Sequence, residues 1–103
     1  WIKGKVKKIN IKDSKFKLPH MGWNEIELVG SNKYFSGIKD LDHMYFIHSY
    51  EFEPEEAQTI KAYASYNKKI VVAIEKNNIF GTQFHPEKSQ DSGLKILGNF
   101  LKI

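Results

Sequence analysis

The run Ile70-Val71-Val72-Ala73-Ile74 limits the fold of this chain more than any other stretch. Turn signals bracket it: Asn67-Lys68-Lys69 before and Lys76-Asn77-Asn78 after. A short continuous apolar run between turns reads as a strand buried on both faces. Such a strand needs cover on two sides, and the chain has one amphipathic helix pattern to offer. One helix cannot cover both faces of a sheet of five or more strands. The sequence therefore predicts that more polypeptide packs against the piece seen here.

The rest of the chain reads as strand-rich. Residues 2–11 form a strand or hairpin arm, with Val6, Ile9 and Ile11 among lysines, and Asp13-Ser14-Lys15 turns it. Residues 17–24 contain Pro19 and Gly22 and read as a loop or irregular edge. Residues 25–29 alternate as a short strand that Gly30-Ser31-Asn32 ends. Residues 34–38 suit a turn of helix, 40–43 a polar connector, and 44–52 an aromatic-rich strand. After a loop at Pro54-Glu55-Glu56, residues 59–66 alternate, and 79–84 read as a further strand.

The last element is a helix with Ser89 as N-cap and Asp91 near the positive end of its dipole. Leu94, Leu97 and Leu101 recur at spacings of three and four, and Ile96 and Phe100 widen the stripe. Gly93 and Gly98 each weaken a helix by about 1 kcal/mol relative to Ala, which points to close packing against a sheet. There are no repeats and no interdomain linker. A chain of 103 residues fits one small domain or part of a larger one. The expected architecture is α/β: a mixed sheet, a smaller antiparallel section, and the 92–101 helix on one face.

Charge and composition narrow the function classes. The net charge of +4 comes from lysine alone, since arginine is absent. That argues against nucleic-acid binding, where arginine is favoured and aromatics interleave with a basic stripe. Lys3, Lys5, Lys7, Lys8, Lys12, Lys15 and Lys17 make the first segment basic. Two readings stay open: a strand edge guarded by lysine, or a contact for a phosphate-bearing or acidic partner. No apolar run approaches the ~20 residues that span a bilayer, and Trp1 opens no signal-peptide pattern. The chain has no cysteine, hence no disulfide or thiolate metal site of its own, in keeping with a cytoplasmic location.

The chemistry is concentrated at Gly81-Thr82-Gln83-Phe84-His85-Pro86-Glu87-Lys88-Ser89. An imidazole with an ordinary pKa of ~6.5 can accept and return a proton near neutrality. A carboxylate beside it can fix its tautomer and stabilise the imidazolium. Pro86 stiffens the backbone between them. The alternative is a His and a Glu satisfied by local hydrogen bonds at a strand-to-helix corner. A metal site built from His20, His43, His48 and Glu87 is disfavoured, because no pair has the helical i, i+4 spacing and His43 and His48 fall on opposite faces of one strand.

Gln83-Phe84-His85-Pro86-Glu87 resembles the signature that closes the catalytic triad in class I glutamine amidotransferases. Leu18-Pro19-His20-Met21-Gly22-Trp23-Asn24, Tyr45-Phe46-Ile47-His48-Ser49-Tyr50 and the tail 92–101 resemble segments of one branch, the glutaminase subunits of imidazole glycerol phosphate synthase. The resemblance implies the C-terminal half of a flavodoxin-like domain, strand-rich with one C-terminal helix, working without metal or cofactor. It implies His85 as general base and Glu87 as its orienter. It places His48, Ser49 and Tyr50 along the glutamine site. It places Pro19, His20, Met21, Gly22, Trp23, Asn24 and Lys88 near the cyclase subunit that accepts ammonia in a heterodimer. From the residues alone, Trp23 also reads as a half-buried core aromatic, Lys88 as a solvated charge, and His20 and His43 as structural or surface residues. The chain departs from the family pattern in having neither a Gly-rich oxyanion strand nor a Cys nucleophile, so by itself it is expected to be inactive. Two further readings remain: an amidotransferase feeding surface-sugar synthesis, and a non-catalytic module that holds a partner through the Trp23 loop and the basic arm.

Overall fold

The computed structural model describes residues 1–13 and 15–102. Ser14, in the expected turn after the first strand, lies outside the described residues.

The apolar run forms the centre of β7 (Lys68–Lys76), which pairs with β6 (Ile60–Tyr66) on one side and β8 (Ile79–Thr82) on the other. The short β3 (Glu27–Leu28) extends the sheet to the order β3-β6-β7-β8. Asn67 and Asn77 make the two tight turns with φ of 68° and 58°, a left-handed conformation that Asn tolerates better than most residues. One face of β7 is closed: Ile70, Val72 and Ala73 pack in the core with Ile26, Phe46 and Phe84. The other face is only half-covered. There Val71 and Ile74 join Phe52 and Gly81 around an apolar concavity. The two-sided burial expected of this strand is thus met on one side.

Two ribbons flank this sheet. β1 (Gly4–Lys8) pairs with β5 (Tyr50–Pro54), and β2 (His20–Glu25) pairs with β4 (His43–His48). β1 is exposed along its whole length, and Lys7 holds Glu53 on the paired strand at 3.0 Å. Among the described residues every pairing is antiparallel, so the expected mixed sheet is not formed. The connections explain this. β6, β7 and β8 follow one another through tight turns, whereas a parallel neighbour needs a crossover of a dozen residues or more.

Three further expectations change. Residues 17–24 are not all loop: from His20 onward they form β2, because Gly22 takes a φ of 111° within the strand rather than ending it. Residues 25–29 are split, with Glu25 closing β2 and the fully buried Ile26 bonded through its backbone to Asp42 and Leu41. Residues 44–52 are two strands, since the chain leaves one ribbon for the other at Ser49: His48 pairs with His20, and Tyr50 with Lys8.

Helix α1 (Gln90–Leu101) meets the body along a narrow seam in which only Gly93 and Ile96 are buried. Asn99 secures its far end by donating to the carbonyls of Tyr34 and Ser36. A Cβ at Gly93 would lie 1.8 Å from the Pro86 carbonyl oxygen. The glycine therefore permits close approach to the His85–Pro86 turn, not to a sheet as expected. Gly98 has open space around it. Apart from Ile96, the apolar stripe is largely exposed: Leu94 is 61% exposed and Leu101 82%. No helix is long and apolar enough to cross a membrane among the described residues.

Candidate active site

Phe84, 2% exposed, anchors the end of the β8 segment in the core and delivers His85 to the surface. The backbone of His85 is fixed on both sides. Its N–H donates to the Tyr45 carbonyl at 3.0 Å. Its own carbonyl accepts the Ser89 hydroxyl at 2.7 Å, and that hydroxyl in turn accepts the Tyr45 N–H at 3.0 Å. Ser89 stands at the N-cap of α1, but its side chain makes no cap bond. It is buried and ties the turn to β4 instead.

Pro86–Lys88 form a single 3₁₀ turn, with proline where its fixed φ suits the first helical position. This turn folds Glu87 back onto the ring of His85, with Nδ1 and Oε2 3.1 Å apart. The ionised carboxylate can only accept, so Nδ1 carries the proton and donates. In the neutral ring Nε2 is then an acceptor, turned away from the carboxylate. The His85 side chain is 35% exposed. The Glu87 carboxyl is held below its usual range, first by its own backbone N–H and then by His85. It stays ionised at neutral pH. The benefit of the contact is present above the ordinary carboxylate pKa and is lost as pH falls through the lowered value.

The sequence-predicted residues fall into three groups. His48 is buried at the end of β4. Its Nε2 is 2.8 Å from Nδ1 of His20, and its Nδ1 is 3.0 Å from the Tyr50 carbonyl. Burial pushes both rings toward the neutral form, His20 to about 4. His20, expected on the partner side, in fact points inward at 3% exposure, and Asn24 bonds to it from the same strand face at 3.1 Å. β-strand alternation explains the division. Met21 and Trp23 point outward, 58% and 49% exposed, and Pro19 is also exposed. Trp23 meets Tyr45 edge-to-face at 5.8 Å, and the Lys88 ammonium stands 5.9 Å from the centre of the Tyr45 ring. Ser49 is half-buried and Tyr50 exposed at the crossing from β4 to β5.

The sequence assigns Ser89 only an N-cap role and Tyr45 no role of its own, whereas the structure uses both to fix the backbone of His85. The alternation of β4 carried a signal for Tyr45, because it lies directly across from Trp23 in the ribbon. Nothing local signalled the Ser89 clamp. Among the described residues, no group of three or more His, Asp or Glu side chains gathers closely enough to hold a metal ion.

A family model described as "Glutamine amidotransferase class-I" matches residues 4–103. The chain belongs to the class I glutamine amidotransferases. It is 58% identical over 103 residues to the imidazole glycerol phosphate synthase subunit HisH of Pelagibacter ubique, covering 100% of this chain and 50% of that one. HisH of Caulobacter vibrioides is 46% identical over 102 residues, covering 99% of this chain and 48% of the relative. HisH of Azospirillum brasilense is 43% identical over 101 residues, covering 98% and 53%. The chain spans about half the length of the curated relatives it matches. Its fold resembles the crystal structure of a putative GMP synthase protein from Thermoplasma acidophilum, with a TM-score of 0.74 at 23% identity over 96% of this chain and 47% of that one.

Proposed function

We propose that this chain is the C-terminal part of a glutaminase domain that supplies ammonia to a cyclase subunit making imidazole glycerol phosphate in histidine biosynthesis. The observation that carries the reading is the His85–Glu87 pair, with Nδ1 engaged at 3.1 Å and Nε2 left to act as base. The nucleophile is a cysteine thiol on polypeptide outside this chain. Nε2 takes the thiol proton as sulfur attacks the carboxamide carbon of glutamine. The imidazolium, stabilised by Glu87, returns the proton to the nitrogen as the C–N bond breaks and ammonia leaves. Water then attacks the thioester, His85 again takes a proton, and glutamate departs with the thiol restored.

The outer face of the β2–β4 ribbon supports a partner on that side. Met21, Trp23 and Ile47 form an exposed apolar patch, with Tyr45 and Lys88 beside it. Exposed apolar patches rimmed by polar groups mark protein interfaces. His48, Ser49 and Tyr50 line the glutamine side. The test is to purify the complete protein together with its cyclase partner, then follow glutamate release and imidazole glycerol phosphate formation in one assay. Coupled formation of both products is expected. Absence of glutamine turnover in the assembled pair would overturn the reading.

A further inference from the structure

The polar row of Asn24, His20 and His48 has its protons fixed from both ends. At one end the Asn24 amide nitrogen donates to the Ser65 carbonyl at 3.0 Å, which sets the orientation of the amide. The same nitrogen faces Nε2 of His20 at 3.1 Å, so Nε2 must accept and the His20 proton sits on Nδ1. Nδ1–H then donates to Nε2 of His48 at 2.8 Å. That leaves the His48 proton on Nδ1, where it meets the Tyr50 carbonyl at 3.0 Å. A carbonyl can only accept, so the far end demands the same tautomer independently. Stacking holds the His20 ring between Tyr66, 4.0 Å away, and Phe46, 4.7 Å away. A second proton on either imidazole would set two N–H groups against each other across one of these contacts.

We propose that His20 is a positioning residue of the amide-cleaving site: acting through His48, it fixes the Tyr50 carbonyl and keeps the His48 imidazole uncharged. This rests on the glutaminase reading above. The charged and titratable groups around His48 come from four elements. His20 contacts it from β2, and a charge on His85, in the turn after β8, also bears on it. Glu51 lies near it on β5, and Lys68 of β7 holds the Glu51 carboxylate at 2.7 Å. Burial and His85 disfavour a charge on His48, while Glu51 and the Tyr50 carbonyl favour one. With His20 as donor, Nε2 of His48 has no room for a proton. Without it, Glu51 can draw a proton onto His48, and the cation would weaken His85 as a base. The Tyr50 turn would also lose its fixed anchor.

The experiment uses the complete protein with its cyclase partner, comparing wild type, His20→Phe, His20→Asn and Asn24→Leu. Phenylalanine keeps the stack and removes the donor, whereas the Asn amide nitrogen restores a donor in place of Nδ1–H. Imidazole ¹⁵N shifts of wild type should show His48 protonated on Nδ1 and still neutral at its ordinary midpoint of ~6.5. In His20→Phe, KM for glutamine should rise about 3- to 10-fold, the loss of one hydrogen bond, with a smaller change in plateau kcat. A second ionisation should enter the acid limb of kcat/KM, and His20→Asn should reverse both effects. Asn24→Leu should move the same parameters in the same direction, which keeps the test open if phenylalanine is not accommodated. A wild-type His48 that carries its proton on Nε2, or that titrates near its ordinary value, would overturn the proposal. So would folded His20→Phe and Asn24→Leu variants with unchanged KM and pH profile. The spectra do not depend on turnover, so an inactive wild type would count against the glutaminase reading alone.

Discussion

His85 is held by four hydrogen bonds, three through its backbone and one through its ring. Only the ring contact was legible in the sequence, because Glu87 is two residues away and a proline turn folds it back. Two of the backbone contacts run to Tyr45 and Ser89, which are 44 residues apart. No local pattern announces a hydroxyl that bridges a strand and a turn. The prediction at this scale concerns Glu87→Gln in the complete protein. The amide can still contact the ring but cannot stabilise the imidazolium. Glutamine hydrolysis should fall roughly 10- to 100-fold, less than the ~10⁴ seen when an orienting carboxylate is buried. Steady-state kinetics check this, and wild-type kcat/KM would contradict the role given to Glu87. Because its own backbone N–H and then His85 hold the Glu87 carboxyl low, the wild-type contact should persist as pH falls from neutrality to the ordinary carboxylate range, and fail only below it. Proton shifts of His85 followed from pH ~7 to ~3, across the ordinary Glu value of ~4.3, would show this.

Among the elements, β6, β7 and β8 were readable because alternation, an unbroken apolar run and Asn turns all pointed the same way. β2 was not, because Gly22 and the preceding Pro19 looked like breakers when they are a kink and an entry. The helix forms as expected, but it does not lay its stripe on the sheet: Gly93 and Ile96 alone are buried. The periodicity of Leu94, Leu97 and Leu101 reports an apolar face without saying what covers it. Gly93 and Gly98 have the same composition signal and opposite surroundings, which gives a paired prediction. Gly93→Ala drives a methyl group into the Pro86 carbonyl and should destabilise by about 1–3 kcal/mol. Gly98→Ala meets open space on a helix and should stabilise by up to about 1 kcal/mol. Urea denaturation of the two variants measures both, and a Gly93→Ala variant as stable as wild type would place the helix farther from the turn. Ile96→Ala, at a position 1% exposed, should cost about 2–5 kcal/mol.

For the molecule as a whole, the exposed surface is informative. Leu94, Leu97, Phe100 and Leu101 line one side of α1, and Phe52, Val71 and Ile74 leave the second face of the sheet partly open. Patches of this kind seldom stay in water on a soluble monomer. The 103-residue chain alone should self-associate, and sedimentation velocity across a concentration series should show it. Paired substitution of Leu94 and Leu101 by Lys should weaken the association, and a compact monomer at all concentrations would contradict the account of these faces. The central claim is narrower: His85 moves the proton for a thiol that this chain does not carry. The most direct test is glutamine hydrolysis by the complete protein with its partner, wild type against His85→Ala, with the fold of each checked by circular dichroism. A loss of at least ~10²-fold in kcat, the contribution of a general base, is predicted with the fold retained. Undiminished turnover by a folded His85→Ala protein would contradict it.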